Sequence, residues 1–183
     1  MNKLPSVTEI IGVYNDFSAV PPDVLEFAAE RGKVIHALCA GYARGLFTVV
    51  PDELTGYFRS FQSWFDAYVK EVLVVEEEVI HPTLGYCGHP DIIARLKGIS
   101  PGNEDTIALI DYKTPRVHNK LWDAQVVAYA EAIKHQYAIA RCGTLRLQKD
   151  GSLPVMHWID NYAQAFNCFM SMLNIWHYLN TDS

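Results

Sequence analysis

Apolar positions along the chain follow two rhythms. One recurs every three or four residues, and the other runs in short continuous blocks. Ser6 followed three residues later by Glu9, just after Pro5, reads as a capping box opening a short helix. Pro21-Pro22-Asp23 then opens a long helix reaching to about Gly45. Within it Ala29, Gly32, His36, Ala40 and Ala43 recur at spacings of three and four, which places them on one face. Small side chains on that face predict close approach of a neighbouring element, with His36 held against it. A second helix starts at Pro51-Asp52 and carries Leu54, Tyr57, Phe58, Phe61, Trp64, Phe65 and Tyr68. Rings at helical spacing predict core here rather than a base-stacking surface, because large rings dominate cores.

The texture changes from Glu71. Val72-Leu73-Val74-Val75 predicts a strand that continues through Glu76-Glu77-Glu78 into Val79-Ile80. His81 to Gly85 forms the turn, and residues 86–96 make the next strand with Asp91 inside it. Residues 98–105 are a polar loop rich in Gly, Pro and Asn. Residues 106–113 form an apolar run of central-strand type that ends in Asp111-Tyr112-Lys113. A helix follows over 119–136, built on Leu121, Trp122, Gln125, Val126, Tyr129, Ala132 and Ile133. Residues 137–147 return to strand, Asp150-Gly151 marks a hairpin turn, and 154–159 pair back. Asp160 caps a last helix to about Leu179, with Phe166, Phe169, Met170 and Leu173 on its apolar side. This order predicts one α/β domain over residues 1–183, with a mixed central sheet flanked by helices. The strand–helix–strand passage at 106–147 predicts a parallel strand pair joined by a right-handed crossover.

Composition narrows the picture only a little. A chain of 183 residues that is 50% apolar and 20% charged can bury a core without staples. No apolar run reaches the roughly 18 residues of a membrane span, and the N-terminus lacks the apolar region of a secretory signal. A cytoplasmic protein with no membrane partner is the expectation. The net charge of −6 excludes a surface coated in basic residues. It does not exclude a basic groove, nor an acidic metal site whose bound cation reverses the local sign. Cys39, Cys87, Cys142 and Cys168 are far apart and form no C-x-x-C pair, which reads as free thiols rather than a zinc knuckle or iron–sulfur centre.

Candidate chemistry centres on two short strings. Asp111 and Lys113 are two apart in a strand and so emerge side by side on one face. Alone, such a pair can be an ordinary ion pair of little consequence. Asp91 follows Gly88-His89-Pro90 and precedes Ile92-Ile93-Ala94, and an acid embedded among apolar residues is costly unless paired or metal-bound. Two converging carboxylates repel, and a divalent cation relieves the repulsion. Mg²⁺ takes oxygen ligands at about 2.0–2.1 Å and keeps several waters. His36 is either a packed core histidine or an imidazole ligand, which would favour Mn²⁺ over a pure oxygen site. Of Glu76, Glu77 and Glu78, alternation lets only one face reach the site. Gln125 and Tyr129, four apart on one helical face, are either an amphipathic boundary or a pair of hydrogen-bonding groups for a phosphate or base.

These strings carry a resemblance. Arg31-Gly32 followed by His36 resembles the opening R-G…H motif of RecB-type nucleases. Gly88-His89-Pro90-Asp91 resembles their G-x-x-D motif, Asp111-Tyr112-Lys113 their D/E-x-K motif, and Gln125 to Tyr129 their Q-x-x-x-Y motif. Four motifs in order across residues 31–129 are similar to the PD-(D/E)xK superfamily, in the branch of RecB nuclease domains and phage-type exonucleases. The resemblance implies a restriction-endonuclease-like fold and Mg²⁺- or Mn²⁺-dependent hydrolysis of phosphodiester bonds in DNA. It implies His36, Asp91 and Asp111 as metal ligands, with the Tyr112 backbone carbonyl as a further one. Lys113 would act on the attacking water and the transition state, and Gln125 and Tyr129 on the DNA strand. A family acid preceding G-x-x-D falls within Glu76–Glu78, and Glu77 is the choice made from sequence. The cysteine cluster of the iron–sulfur branch has no counterpart here. A phage- or prophage-type recombination exonuclease is implied, acting in a bacterial or phage-infected cell beside a single-strand annealing or recombination protein, with self-association left open. The alternatives are a non-cutting nucleic-acid-binding or assembly module, a structure-specific endonuclease, or a metal-dependent enzyme on another substrate.

Overall fold

Ser6 and Glu9 form the expected capping box. The Ser6 Oγ accepts from the Glu9 amide at 3.1 Å, and Glu9 Oε2 accepts from the Ser6 amide at 2.7 Å. This opens α1 (Val7–Gly12) in a computed structural model that describes residues 3–98 and 104–180. Most of the polar loop expected at 98–105 lies outside the described residues. Two longer helices follow, α2 (Pro22–Ala43) and α3 (Thr55–Tyr68). The strands are β1 (Val69–Val75), β2 (Val79–Ile80), β3 (Cys87–Gly88), β4 (Ile92–Leu96) and β5 (Thr106–Lys113). Then come α4 (Leu121–Ile133), β6 (Arg141–Arg146), β7 (Val155–Trp158) and α5 (Tyr162–Asn180).

Five strands form one mixed sheet in the order β1-β4-β5-β6-β7. Among the described residues, β5 and β6 are the parallel pair of this sheet, joined through α4 as the apolar pattern predicted. The fold is therefore mixed α/β, a five-stranded sheet flanked by helices. Alternation along β5 divides the core. Leu109 faces a cluster with Val127 of α4, Phe169 of α5 and Ile10 of α1. Ala108 and Ile110 face the other cluster, with Ile35 of α2 and Phe61 of α3. Phe61, Ile110 and Leu109 are fully buried, each contributing about 1.5–3 kcal/mol relative to exposure. The aromatic stripe of α3 is core, as expected: Tyr57, Phe58, Phe61 and Trp64 are all buried.

Four sequence expectations differ from the structure. The Glu76–Glu78 run does not extend β1. Glu76 adopts a positive φ of 51°, which no strand can accommodate, and β2 leaves to pair with β3 in a separate two-stranded sheet. Residues 86–96 are not one strand either. Pro90 has no N–H to offer a ladder, and the chain breaks between β3 and β4. Asp91 thus sits at a strand break. The small-residue face of α2 is packed only from Ile35 onward, while Ala29 is exposed and a Cβ at Gly32 would meet open space. Periodicity identifies a face but not the length of the neighbour that covers it. Finally, α5 begins at Tyr162, and Asn161 rather than Asp160 offers its side-chain oxygen to the first turn, toward the Gln164 amide at 3.4 Å. Among the described residues, no helix is long and apolar enough to cross a membrane.

Candidate metal centre

The polar ends of β4 and β5 meet because of their register. Ile92 pairs antiparallel with Ile110, so the next step places Asp91 beside Asp111 and the Tyr112 amide. Asp91 is 3% exposed and bridges two elements. Its Oδ1 lies 2.8 Å from His36 Nδ1 on α2, and its Oδ2 accepts the Tyr112 N–H at 2.5 Å. Tyr112, whose carbonyl is implied as a ligand by the resemblance, enters the cluster through this amide. Its ring faces the opposite layer, edge-on to Phe61 and to His36.

Asp111 and Lys113 emerge on the α4 face, as their i, i+2 spacing predicted. Lys113 Nζ lies 2.6 Å from Asp111 Oδ2 and donates to Gln125 Oε1 at 3.1 Å. It also sits 5.4 Å from the centre of the Trp122 ring. The other end of the same amide, Gln125 Nε2, donates to Asp111 Oδ1 at 3.3 Å and to Tyr129 Oη at 3.0 Å. The orientation of Gln125 is thereby fixed, with its carbonyl toward the ammonium and its NH₂ toward the carboxylate and the phenol. Gly88 completes this wall. A Cβ there would lie 2.3 Å from the Tyr129 ring, so only glycine lets the ring lie against the backbone of β3.

Glu76 is the residue that alternation misassigned. Its amide donates to the Asp91 carbonyl at 3.3 Å, and its carboxylate groups with Asp91 and His36, with donor atoms all within 4.8 Å of one another. Glu77 and Glu78 are exposed. Alternation applies within a strand, and the left-handed backbone at Glu76 ends the strand there. One sequence signal was available: Glu76 terminates an apolar run, as Asp111 does. The structure thus gathers His36, Asp91, Asp111, Lys113, Gln125 and Tyr129, and it adds Glu76 in place of Glu77. Asp111 lies outside the tight His36–Glu76–Asp91 group, its oxygens engaged by Lys113 and Gln125.

The electrostatics fit a cation. Burial raises the Asp111 carboxyl, with Lys113 opposing and Asp91 adding to the shift. Burial, followed by the charge of Asp91, raises Glu76 to about 7. For His36 burial opposes the charged ring, yet the Asp91 carboxylate, by charge and hydrogen bond, and then Asp111 carry it up to about 9. Protons therefore stand in for positive charge among three crowded carboxyl groups. A donor set of carboxylate oxygens with one imidazole suits Mg²⁺ or, better, Mn²⁺.

A pH dependence follows. A group whose folded-state pKa is raised favours folding only while it is protonated. The Glu76 contribution is present below about 4.5 and lost as pH rises through about 7. That of His36 is present below about 6.5 and lost as pH rises through about 9. Chelator-treated protein is expected to lose stability steadily from pH 5 to pH 10, and Mn²⁺ to restore it most at the alkaline end. Urea unfolding across that range, with and without the ion, checks both; a flat profile without metal would contradict these assignments.

No protein-family model matches the chain, and no curated protein does.

Proposed function

We propose that the chain is a divalent-metal-dependent deoxyribonuclease with a restriction-endonuclease-like fold, of the RecB-like PD-(D/E)xK kind. The observation that carries this reading is the Lys113 ammonium, held between Asp111 and the fixed Gln125 amide, next to the His36–Glu76–Asp91 group. A structural ion pair has no use for the second cluster beside it. Neighbouring acid and lysine at the end of a buried strand suit a phosphate, whose oxygens need both a cation and a donor.

His36, Glu76, Asp91 and Asp111 would hold Mg²⁺ or Mn²⁺. The bound ion would supply Lewis-acid polarisation of the phosphate and a water acidic enough to attack at neutral pH. The remaining work belongs to the side chains. Lys113 places preorganised positive charge where the phosphate gains negative charge during displacement. Asp111 and Gln125 restrict Lys113 to that position, so little reorganisation is needed when the charge develops. Tyr129, fixed by Gly88 and Gln125, orients the amide. Asp91 keeps the His36 ring in one orientation through the Nδ1 contact.

A recombination exonuclease is the form we favour, with DNA as substrate, a single-strand annealing or recombination protein as partner, and the cytoplasm of a bacterial or phage-infected cell as its place. The test is digestion of end-labelled linear and covalently closed circular DNA with Mg²⁺ or Mn²⁺. Metal-dependent loss of linear DNA alone is the expected result. Cutting of the closed circle would replace the exonuclease by an endonuclease, and DNA binding without turnover would replace both by a binding module.

A further inference from the structure

A second cluster of donor atoms lies on the same sheet face, outside the site described above. His118 precedes α4, Asp123 stands in its first turn, and His157 lies in the edge strand β7. Both imidazoles direct Nε2 at one atom, Asp123 Oδ1, at 3.2 and 3.3 Å. The two rings are 4.1 Å apart, centre to centre. Despite this proximity, neither His118 Nε2 nor Asp123 Oδ1 makes a hydrogen bond, and both atoms are buried. The contacts are at ion-pair distance, and one donor atom from each of the three residues lies within 4.8 Å of the others. Their spacing matches a tetrahedron: with metal–ligand bonds of about 2.0–2.1 Å, ligand atoms stand about 3.3 Å apart.

We propose that His118, Asp123 and His157 form a second metal site, taking Zn²⁺ or a similar borderline transition ion. Two imidazoles and one carboxylate are a zinc donor set, unlike the mainly oxygen set around Asp91. Three protein ligands leave a fourth position, which opens on a cavity of about 480 Å³ lined by all three residues.

The site is separate from the first. Asp111, Thr144 and His157 are lateral neighbours across β5, β6 and β7. At about 4.8 Å per strand the backbones of Asp111 and His157 are about 10 Å apart. Paired catalytic ions sit about 3.5–4 Å apart, so this ion is no partner in displacement. Its effect is positional. It ties the first turn of α4 to an edge strand that otherwise pairs on one side only. Trp122 lies between the two clusters, its ring edge-on to His118 at 5.3 Å and beneath Lys113. Fixing His118 therefore braces the ring against which the Lys113 ammonium rests.

The inference does not depend on DNA cleavage and is read by metal binding alone. Calorimetric titration of ZnCl₂ into chelator-treated His36→Ala protein removes the imidazole of the first cluster and leaves it only oxygen donors, which hold Zn²⁺ less well than a two-imidazole site. One equivalent is expected to bind and to raise the melting temperature. Adding His157→Ala is expected to weaken binding by at least about 100-fold, beyond what loss of an outer-sphere partner would do, and to abolish the thermal shift. Co²⁺ in place of Zn²⁺ should give tetrahedral visible bands that vanish in the double variant. His157 is half-exposed, and far-UV circular dichroism verifies that the variant folds. No Zn²⁺ binding by His36→Ala, or binding unaffected by His157→Ala, overturns the proposal.

Discussion

Lys113→Ala is expected to lower DNA cleavage by about 10²–10³-fold while leaving the fold and Mn²⁺ binding in place. The magnitude is that of removing one preorganised donor from a developing oxyanion, about 2.7–4 kcal/mol. Lys113 qualifies because it is held before any substrate arrives: by Asp111 at 2.6 Å, by Gln125 at 3.1 Å and by the Trp122 face. The fold tolerates its loss because the Asp111 carboxyl, already raised by burial, can take up a proton in the metal-free protein and give it up again to a bound cation. Single-turnover rates on a labelled duplex give the number, and calorimetry with Mn²⁺ gives the control. Wild-type cleavage by the alanine variant would remove Lys113 from the mechanism, and lost Mn²⁺ affinity would recast it as a structural residue.

Asp91 separates architecture from chemistry. Asp91→Ala is expected to destabilise the protein by about 3 kcal/mol, the low end for breaking a buried pair, since His36 keeps some solvent contact. Two groups lose their partner at once, the His36 ring and the buried Tyr112 amide. Asp91→Asn can still accept from Tyr112 and donate to His36, so most of that stability should return. Neither variant should bind Mn²⁺ tightly or cleave. Urea midpoints and Mn²⁺ titration distinguish the two effects. An alanine variant as stable as wild type would show that Asp91 does not hold α2 to the sheet, and an asparagine variant with full Mn²⁺ affinity would remove it from the ligand set.

Much of this arrangement was legible in the sequence because it depends on local regularity. The apolar run before Asp111 marked a central strand, and the i, i+2 rule placed Lys113 beside it. The three-and-four spacing of Gln125 and Tyr129 put both on one turn of α4. What escaped was irregular. Nothing in the Glu76–Glu78 run announces a left-handed residue, so alternation continued where the backbone did not. Pro90 gave fair warning of a break, but the apolar residues on either side outweighed it. The capping box at Ser6 was evident, whereas the choice of Asn161 over Asp160 turns on one residue of phase. The buried stretch of α2 depended on how far α3 and the sheet reach, a property of partners distant in sequence. His118, Asp123 and His157 come from a loop, a helix and an edge strand, and no short motif links them.

The backbone at Glu76 has a consequence for descent as well as for mechanism. A side chain held at φ 51° costs about 1–2 kcal/mol relative to an ordinary conformation, and glycine would avoid most of that cost. Selection for stability alone therefore pulls this position toward glycine. The extra backbone entropy that glycine loses on folding offsets part of the pull, and a need for the carboxylate opposes the rest. Among descendants of this chain, glutamate retained at 76 would be the mark of the proposed metal centre in use, and glycine the mark of its loss.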